Sequence, residues 1–139
     1  MSIILWNVRG LNHSSRISDV KFLLQSHQPS IVCLIETKVK THNSHRITNF
    51  LPADWSSINN YDHDSHGRIW VLWNFNTWSC SLISSSDQYI IVRAPNKGGF
   101  DCIISFIYAH NFQNLRRQLW HDLLYFSTQC SPLASNGRL

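Results

Sequence analysis

Three polar residues stand directly at the ends of apolar runs in this chain. Asn7 follows Ile3-Ile4-Leu5-Trp6, Glu36 follows Ile31-Val32-Cys33-Leu34-Ile35, and Tyr108 closes the run that begins at Cys102. A carboxylate at the end of a fully apolar strand is costly to bury without a partner. A divalent cation is one such partner, because hard cations take oxygen ligands. An amide in the position of Asn7 falls at the carboxyl end of a strand, where open α/β sheets place their sites. A tyrosine hydroxyl can position a phosphate or stabilise a developing oxyanion. Each residue also has a structural reading: Asn7 as a strand-to-turn cap, Glu36 as a surface carboxylate just past its strand, Tyr108 as an aromatic packing residue.

The elements that must position these groups can be read from periodicity. Residues 3–6 and 31–35 are short apolar runs that fit buried strands; the second, apolar on both faces and rich in β-branched residues, fits the centre of a covered sheet. Arg9-Gly10-Leu11-Asn12 has turn chemistry. A helix is expected over 16–27, capped by Ser15, with Ile17, Val20, Leu23, Leu24 and His27 on one face and Pro29 closing it. That helix makes the two strands parallel neighbours and brings Asn7 and Glu36 side by side. Residues 37–66 read as a polar loop with a short helix near 45–50. Four strands are expected at 68–73, 78–83, 89–94 and 102–108, their spacing suggesting an antiparallel meander. An amphipathic helix follows over 115–126, with Leu115, Leu119, Trp120, Leu123 and Leu124 on its stripe. The order strand, helix, strand, several strands, helix points to an α/β fold with a mixed sheet.

The chain has 139 residues, is 43% hydrophobic and 14% charged, and so suits one packed domain rather than a disordered polyelectrolyte. Its net charge of +4 permits a polyanionic partner without specifying one. Cations are scattered, with small pairs at Lys38/Lys40 and Arg116/Arg117. The four cysteines, at 33, 80, 102 and 130, fit no C-x-x-C pattern. Cys33 and Cys102 read as small buried residues, and a reducing compartment is expected. No apolar run approaches the ~20 residues that cross a bilayer. A soluble intracellular protein of nucleus or cytoplasm, with no membrane partner and no small-molecule cofactor, is therefore expected. His42-x-x-His45 and His63-x-x-His66 have metal-like spacing but no third ligand nearby.

Four segments occur in an order and spacing that are fairly specific together: Trp6-Asn7-Val8-Arg9-Gly10-Leu11-Asn12, Glu36-Thr37-Lys38, Gly67-Arg68-Ile69-Trp70-Val71-Leu72-Trp73 and Ile107-Tyr108-Ala109. They resemble successive motifs of the endonuclease/exonuclease/phosphatase superfamily, in particular the endonuclease domain of plant LINE retrotransposons. The resemblance covers residues 3 to about 132 and leaves 133–139 as a divergent tail. It implies a DNase I-like four-layered α/β sandwich, present as its N-terminal part: a mixed sheet with flanking helices. It implies Mg²⁺-dependent hydrolysis of DNA. Asn7 would sit in the metal and phosphate site, Glu36 would hold Mg²⁺, Tyr108 would bind the scissile phosphate or stabilise its transition state, and Asn111 would contact DNA. A Mg²⁺ held by one carboxylate keeps several waters, so few protein ligands are needed.

The family's later motifs, a Gly-Asp-Phe-Asn segment and an Asp-His pair near the C-terminus, do not follow the last helix. The general base expected in the superfamily, a His oriented by an Asp, is thus not supplied. His110 and His121 are the local candidates: nothing orients His110, and His121 reads as a surface residue. The expectation is an incomplete domain of weak or no cleavage activity, supplying roughly one sheet and leaving a face or edge uncovered. Five of the six Trp residues could form that exposed surface. The alternative reading is a non-catalytic nucleic-acid-binding or interaction fragment of a decayed retrotransposon.

Overall fold

The computed structural model describes residues 2–136, with side chains through residue 127. It divides into two compact units, Met1–Tyr108 and Ala109–Leu139.

The first unit opens with β1 (Ile3–Asn7), α1 (Ser14–His27) and β2 (Ile31–Ile35). β1 and β2 are parallel, with Asn7 in register with Ile35. Helix α1 starts two residues earlier than expected. His13 occupies the N-cap without a capping hydrogen bond, so Ser15 lies inside the helix and is not its cap. Val20 and Leu24 are its buried residues, and His27 at the far end of the expected stripe is exposed. Gln28 closes the helix in the left-handed conformation, ahead of Pro29.

The segment read as loop does hold the short helix, α2 (His45–Thr48), after a 3-10 turn at Thr41–Asn43. It also holds a strand that the composition hid, β3 (Trp55–Asn59). Its Trp-Ser-Ser-Ile-Asn sequence lacks a continuous apolar run because it is an edge strand, intermediate in burial along its whole length. β4 (Ile69–Asn74) does not begin a meander. It inserts antiparallel between β2 and β3, giving one four-stranded mixed sheet in the order β1-β2-β4-β3.

The remaining strands, β5 (Ser81–Ser85), β6 (Tyr89–Arg93) and β7 (Ile103–Ile107), form the meander as a separate antiparallel sheet. β5 begins three residues later than expected, because Trp78 makes only an isolated bridge to Asn96. The chain therefore builds two sheets and not one, and this corrects the expectation of a single sheet.

Period-2 alternation divides the core in two. On one face of the first sheet, Val32, Leu34, Trp70 and Leu72 pack with Val20 and Leu24 of α1 and with Ile47 and Phe50 at α2. On the other face, Ile31, Cys33, Ile35, Ile69, Val71 and Trp73 pack against Ile90, Val92 and Phe106 of the second sheet. Burial of both faces explains why β2 and β4 read as near-continuous apolar runs. Three of the six tryptophans are inside: Trp70 and Trp73 of β4, and Trp78 before β5, are buried. Uncovered apolar surface in this unit lies at the edge strands, at Ile3 and Leu5 of β1 and Leu82 and Ile83 of β5, and also at Phe22 of α1 and at Phe75 and Phe100 between strands. Cys33 is buried, which pushes its thiol pKa up, whereas Cys102 is only half-buried.

The second unit, described by itself, is α3 (Gln113–Asn136) and the four residues before it. The helix is longer at both ends than its apolar stripe. Leu119 is buried, while Leu115, Trp120 and Leu124 are exposed. Residues 137–139 of the expected tail lie outside the described residues.

Among the described residues no helix is long and apolar enough to cross a membrane.

Candidate active site: a carboxylate centre where the two sheets meet

β1, β2 and β7 all end at the same end of the first unit, and antiparallel β4 begins there. The backbone ties these ends together: Val8 N–H donates to Ile35 C=O at 3.1 Å, Gly10 N–H to Glu36 C=O at 2.8 Å, Leu11 N–H to Thr37 C=O at 2.8 Å, and Glu36 N–H to Arg68 C=O at 2.7 Å. Tyr108 is fixed from the second sheet, its N–H donating to Gln88 C=O at 2.8 Å.

Strict alternation would send Glu36 to the helix-covered face, with Val32 and Leu34. It does not go there, because Glu36 has a φ of 61° and leaves the strand in the left-handed region. Arg9 and Lys38 share that conformation, so three of the four described non-glycine residues with positive φ surround one point. Such residues cost about 1 kcal/mol or more each and persist only where their surroundings over-determine them. Here the cross-loop hydrogen bonds and the buried Thr37, whose hydroxyl donates to Gly67 C=O, hold the turn. Gly67 itself has a φ of 58°, and a Cβ there would run into the Tyr61 ring.

The result is a cluster on one carboxylate oxygen. Asn7 Nδ2 donates to Glu36 Oε2 at 2.9 Å and the Tyr108 hydroxyl donates to the same atom at 3.0 Å. Lys38 Nζ lies 3.4 Å from the other oxygen, Oε1. Asn7 serves both of its readings at once, since its Oδ1 also accepts the Arg9 N–H at 3.0 Å in a local turn. The Arg68 guanidinium stacks 4.5 Å above the Tyr108 ring and pairs with Asp64 at 3.8 Å. Three of the four expected site residues, Asn7, Glu36 and Tyr108, are thus brought into contact across the two sheets. Asn111 belongs to the second unit, where its carbonyl accepts from Arg116 at 3.4 Å.

The electrostatics follow from this geometry. The Asn7 amide holds the Glu36 carboxyl below its ordinary pKa, helped by the Tyr108 hydroxyl and Lys38 and opposed by burial. Burial and the anionic Glu36 push the Tyr108 hydroxyl up, with Arg68 opposing. At neutral pH the pair is an ionised carboxylate and a neutral phenol, the protonation states for an oxygen ligand beside a hydrogen-bond donor. Sequence reasoning overlooked the parts played by Lys38 and Arg68. The two-residue spacing from Glu36 to Lys38 was the available signal for one; the contact of Arg68 with Tyr108 spans 40 positions and left none.

The donor set fits a hard cation. Among the described residues no group of three or more His, Cys, Asp or Glu forms a ready-made metal cage. What the centre offers is one ionised carboxylate and an amide, which suits Mg²⁺ with its retained waters. Oε1 of Glu36 is the ligand atom offered to a cation, because among the described residues its partner is an exposed lysine, an ion pair of little energy.

No protein-family model and no curated protein matches this chain. A solved structure does: the catalytic domain of human Nocturnin with bound sulfate anion is similar at 13% identity, with a TM-score of 0.58 over 88% of this chain. The chain spans 58% of the length of that domain. A likeness at this identity establishes architecture. Together with the two packed sheets and their helices, it shows that the chain has a mixed α/β fold of the DNase I-like type.

Proposed function

We propose that the chain is a metal-dependent phosphodiesterase domain acting on DNA, of the LINE-type endonuclease kind that its motifs resemble, and weakly active because the superfamily's His–Asp base is not supplied. The observation that carries this reading is the shared oxygen of Glu36, which accepts from both Asn7 and Tyr108 at the meeting end of two sheets. Mg²⁺, when bound at Glu36, supplies positive charge to the phosphate and to the departing oxygen. Asn7 holds Glu36 in its anionic state and fixes its orientation. Tyr108 presents a proton-bearing hydroxyl next to the place where a phosphate oxygen would stand, at little reorganisation cost. Arg68 keeps the phenol ring in place by cation–π stacking.

The experiment is nicking of supercoiled plasmid by purified protein with Mg²⁺ or with EDTA, beside Glu36→Ala. Metal-dependent nicking that is lost in the variant supports the proposal. Absence of nicking by soluble, folded protein sinks it and favours a binding module without cleavage, which the net charge of +4 supports.

A further inference from the structure

A second feature of the first unit adjoins the carboxylate centre and shares Lys38 with it. The loop after Glu36 and the short helix α2 enclose a hollow of about 360 Å³, lined by Asn12, Lys38, Lys40, His42, Asn43 and Arg46. A second hollow of about 360 Å³ shares Asn12 and Arg46 and extends along α1 to Lys21, with His45 beside it. Four permanent cations therefore line two adjoining hollows that share Asn12 and Arg46, and no carboxylate lines either of them. Among the described residues, Lys38 is the only one of the four with a carboxylate partner, and that partner is Glu36. Arg46 spends one N–H on the Asn12 carbonyl at 3.2 Å, which orients the guanidinium and leaves its other donors to spare. Asn12 is held in turn by donating to the Lys38 carbonyl at 2.9 Å.

Like charges gathered in a concave surface raise the local potential and repel one another, so their grouping favours a polyanion in the hollow. Lys38 belongs to both places: it faces Glu36 Oε1 and lines the first hollow. A strand with one phosphate at the carboxylate centre would run its next phosphates past Lys38 toward Lys40, Arg46 and Lys21. A membrane surface is the poorer fit, since interfacial binding needs exposed apolar side chains to insert. The apolar residues here, Ile17 and Phe50, are half-buried or buried in the helix-side core.

We infer that Asn12, Lys21, Lys38, Lys40 and Arg46 form a groove for the nucleic-acid backbone leading out of the carboxylate centre. The choice of a nucleic acid rests on the phosphodiesterase reading above. The groove binds through phosphates, so it gives affinity and orientation without reading sequence.

The test measures binding of a short fluorescein-labelled DNA duplex to the full chain in EDTA, across a salt series, so that cleavage plays no part. Lys21→Gln/Lys40→Gln changes two exposed side chains, and Lys97→Glu on the β6–β7 hairpin removes the same net charge elsewhere. The double variant is expected to lose about tenfold in affinity, with the log–log salt slope shallower by about 1.8, two phosphate contacts' worth. Lys97→Glu should leave the slope as it is. Equal losses in the two variants, no loss in the double variant, or wild-type protein that binds anionic vesicles but not DNA would each overturn the groove. The nicking assay reports separately: nicking with an unaltered double-variant slope sinks the groove alone, and a groove without nicking sinks the phosphodiesterase reading alone.

Discussion

β2 and β4 of the four-stranded sheet are buried along nearly their whole length, whereas in the three-stranded sheet only β6 is. Its partners β5 and β7 expose Leu82, Ile83 and Ile103. The first sheet is covered on both faces, by helices on one and by the second sheet on the other. The second sheet shares one core with it and keeps two edges. The first sheet thereby supplies a rigid frame, with a register that a slip of one residue would destroy. Asn7, Glu36 and Arg68 all hang from that frame, while the second sheet contributes Tyr108 alone. Stability and site geometry are therefore coupled in the first sheet and nearly separable in the second.

The largest expected break in this comparison is Trp70→Ala, at the centre of β4. It removes a fully buried indole that packs edge-on to Tyr61 and should cost about 4 kcal/mol in urea unfolding. Leu82→Ala, on a half-exposed β5 position, should cost under about 0.5 kcal/mol in the same assay. Similar losses at the two positions would mean that the sheets are equally essential. Glu36→Ala should lower metal-dependent nicking by roughly 10²-fold or more, about 3 kcal/mol, while circular dichroism shows the fold retained. Gly67→Ala should cost about 2 kcal/mol and lower nicking as well, because the loop it strains also supplies the carbonyls that hold Thr37 and Glu36. A stability loss with unchanged nicking would separate frame from site.

Tyr108→Phe sharpens the comparison from the other sheet. It removes one hydrogen bond to Glu36 while keeping the ring under Arg68. Nicking should fall about tenfold with stability altered by less than about 1 kcal/mol. The smallest effect is a pH dependence. Glu36 is held below the ordinary glutamate value of 4.5, so its bound-proton count in the folded state is lower than in the unfolded state. It contributes stability above that value, and the contribution disappears as pH falls through the depressed folded pKa. Between about pH 6 and about pH 3, wild-type protein should therefore lose more stability than Glu36→Gln. Parallel curves would show that the Asn7 and Tyr108 contacts do not hold the carboxylate in solution.

Much of the site was legible because it sits at element ends. Asn7, Glu36 and Tyr108 each break an apolar run at its last position, and a strand end is readable from composition. β3 was not, because an edge strand half in solvent keeps its serines and its asparagine and so looks like loop. The pairing of β4 with β2 was equally hidden. Period-2 patterning tells which face a residue takes, but not which strand it pairs with, and a hairpin to β5 fitted the turn signals as well. Ser15 as a cap failed for a local reason: the backbone enters the helix two residues earlier, at His13.

The sequence by itself determined where β1, β2 and β7 stop to within a residue, which polar residues stand there, and the parallel pairing that sets Asn7 beside Glu36. These depend on contacts between near neighbours or on one short crossover. Only the tertiary structure decided that Tyr108 reaches the same carboxylate oxygen, that Arg68 stacks on the Tyr108 ring, and that Lys21 and Lys40 line adjoining hollows that share Arg46. Those contacts span up to 72 residues. They depend on packing the second sheet onto the first and on a left-handed backbone at Glu36, which is imposed by its surroundings against the residue's own preference.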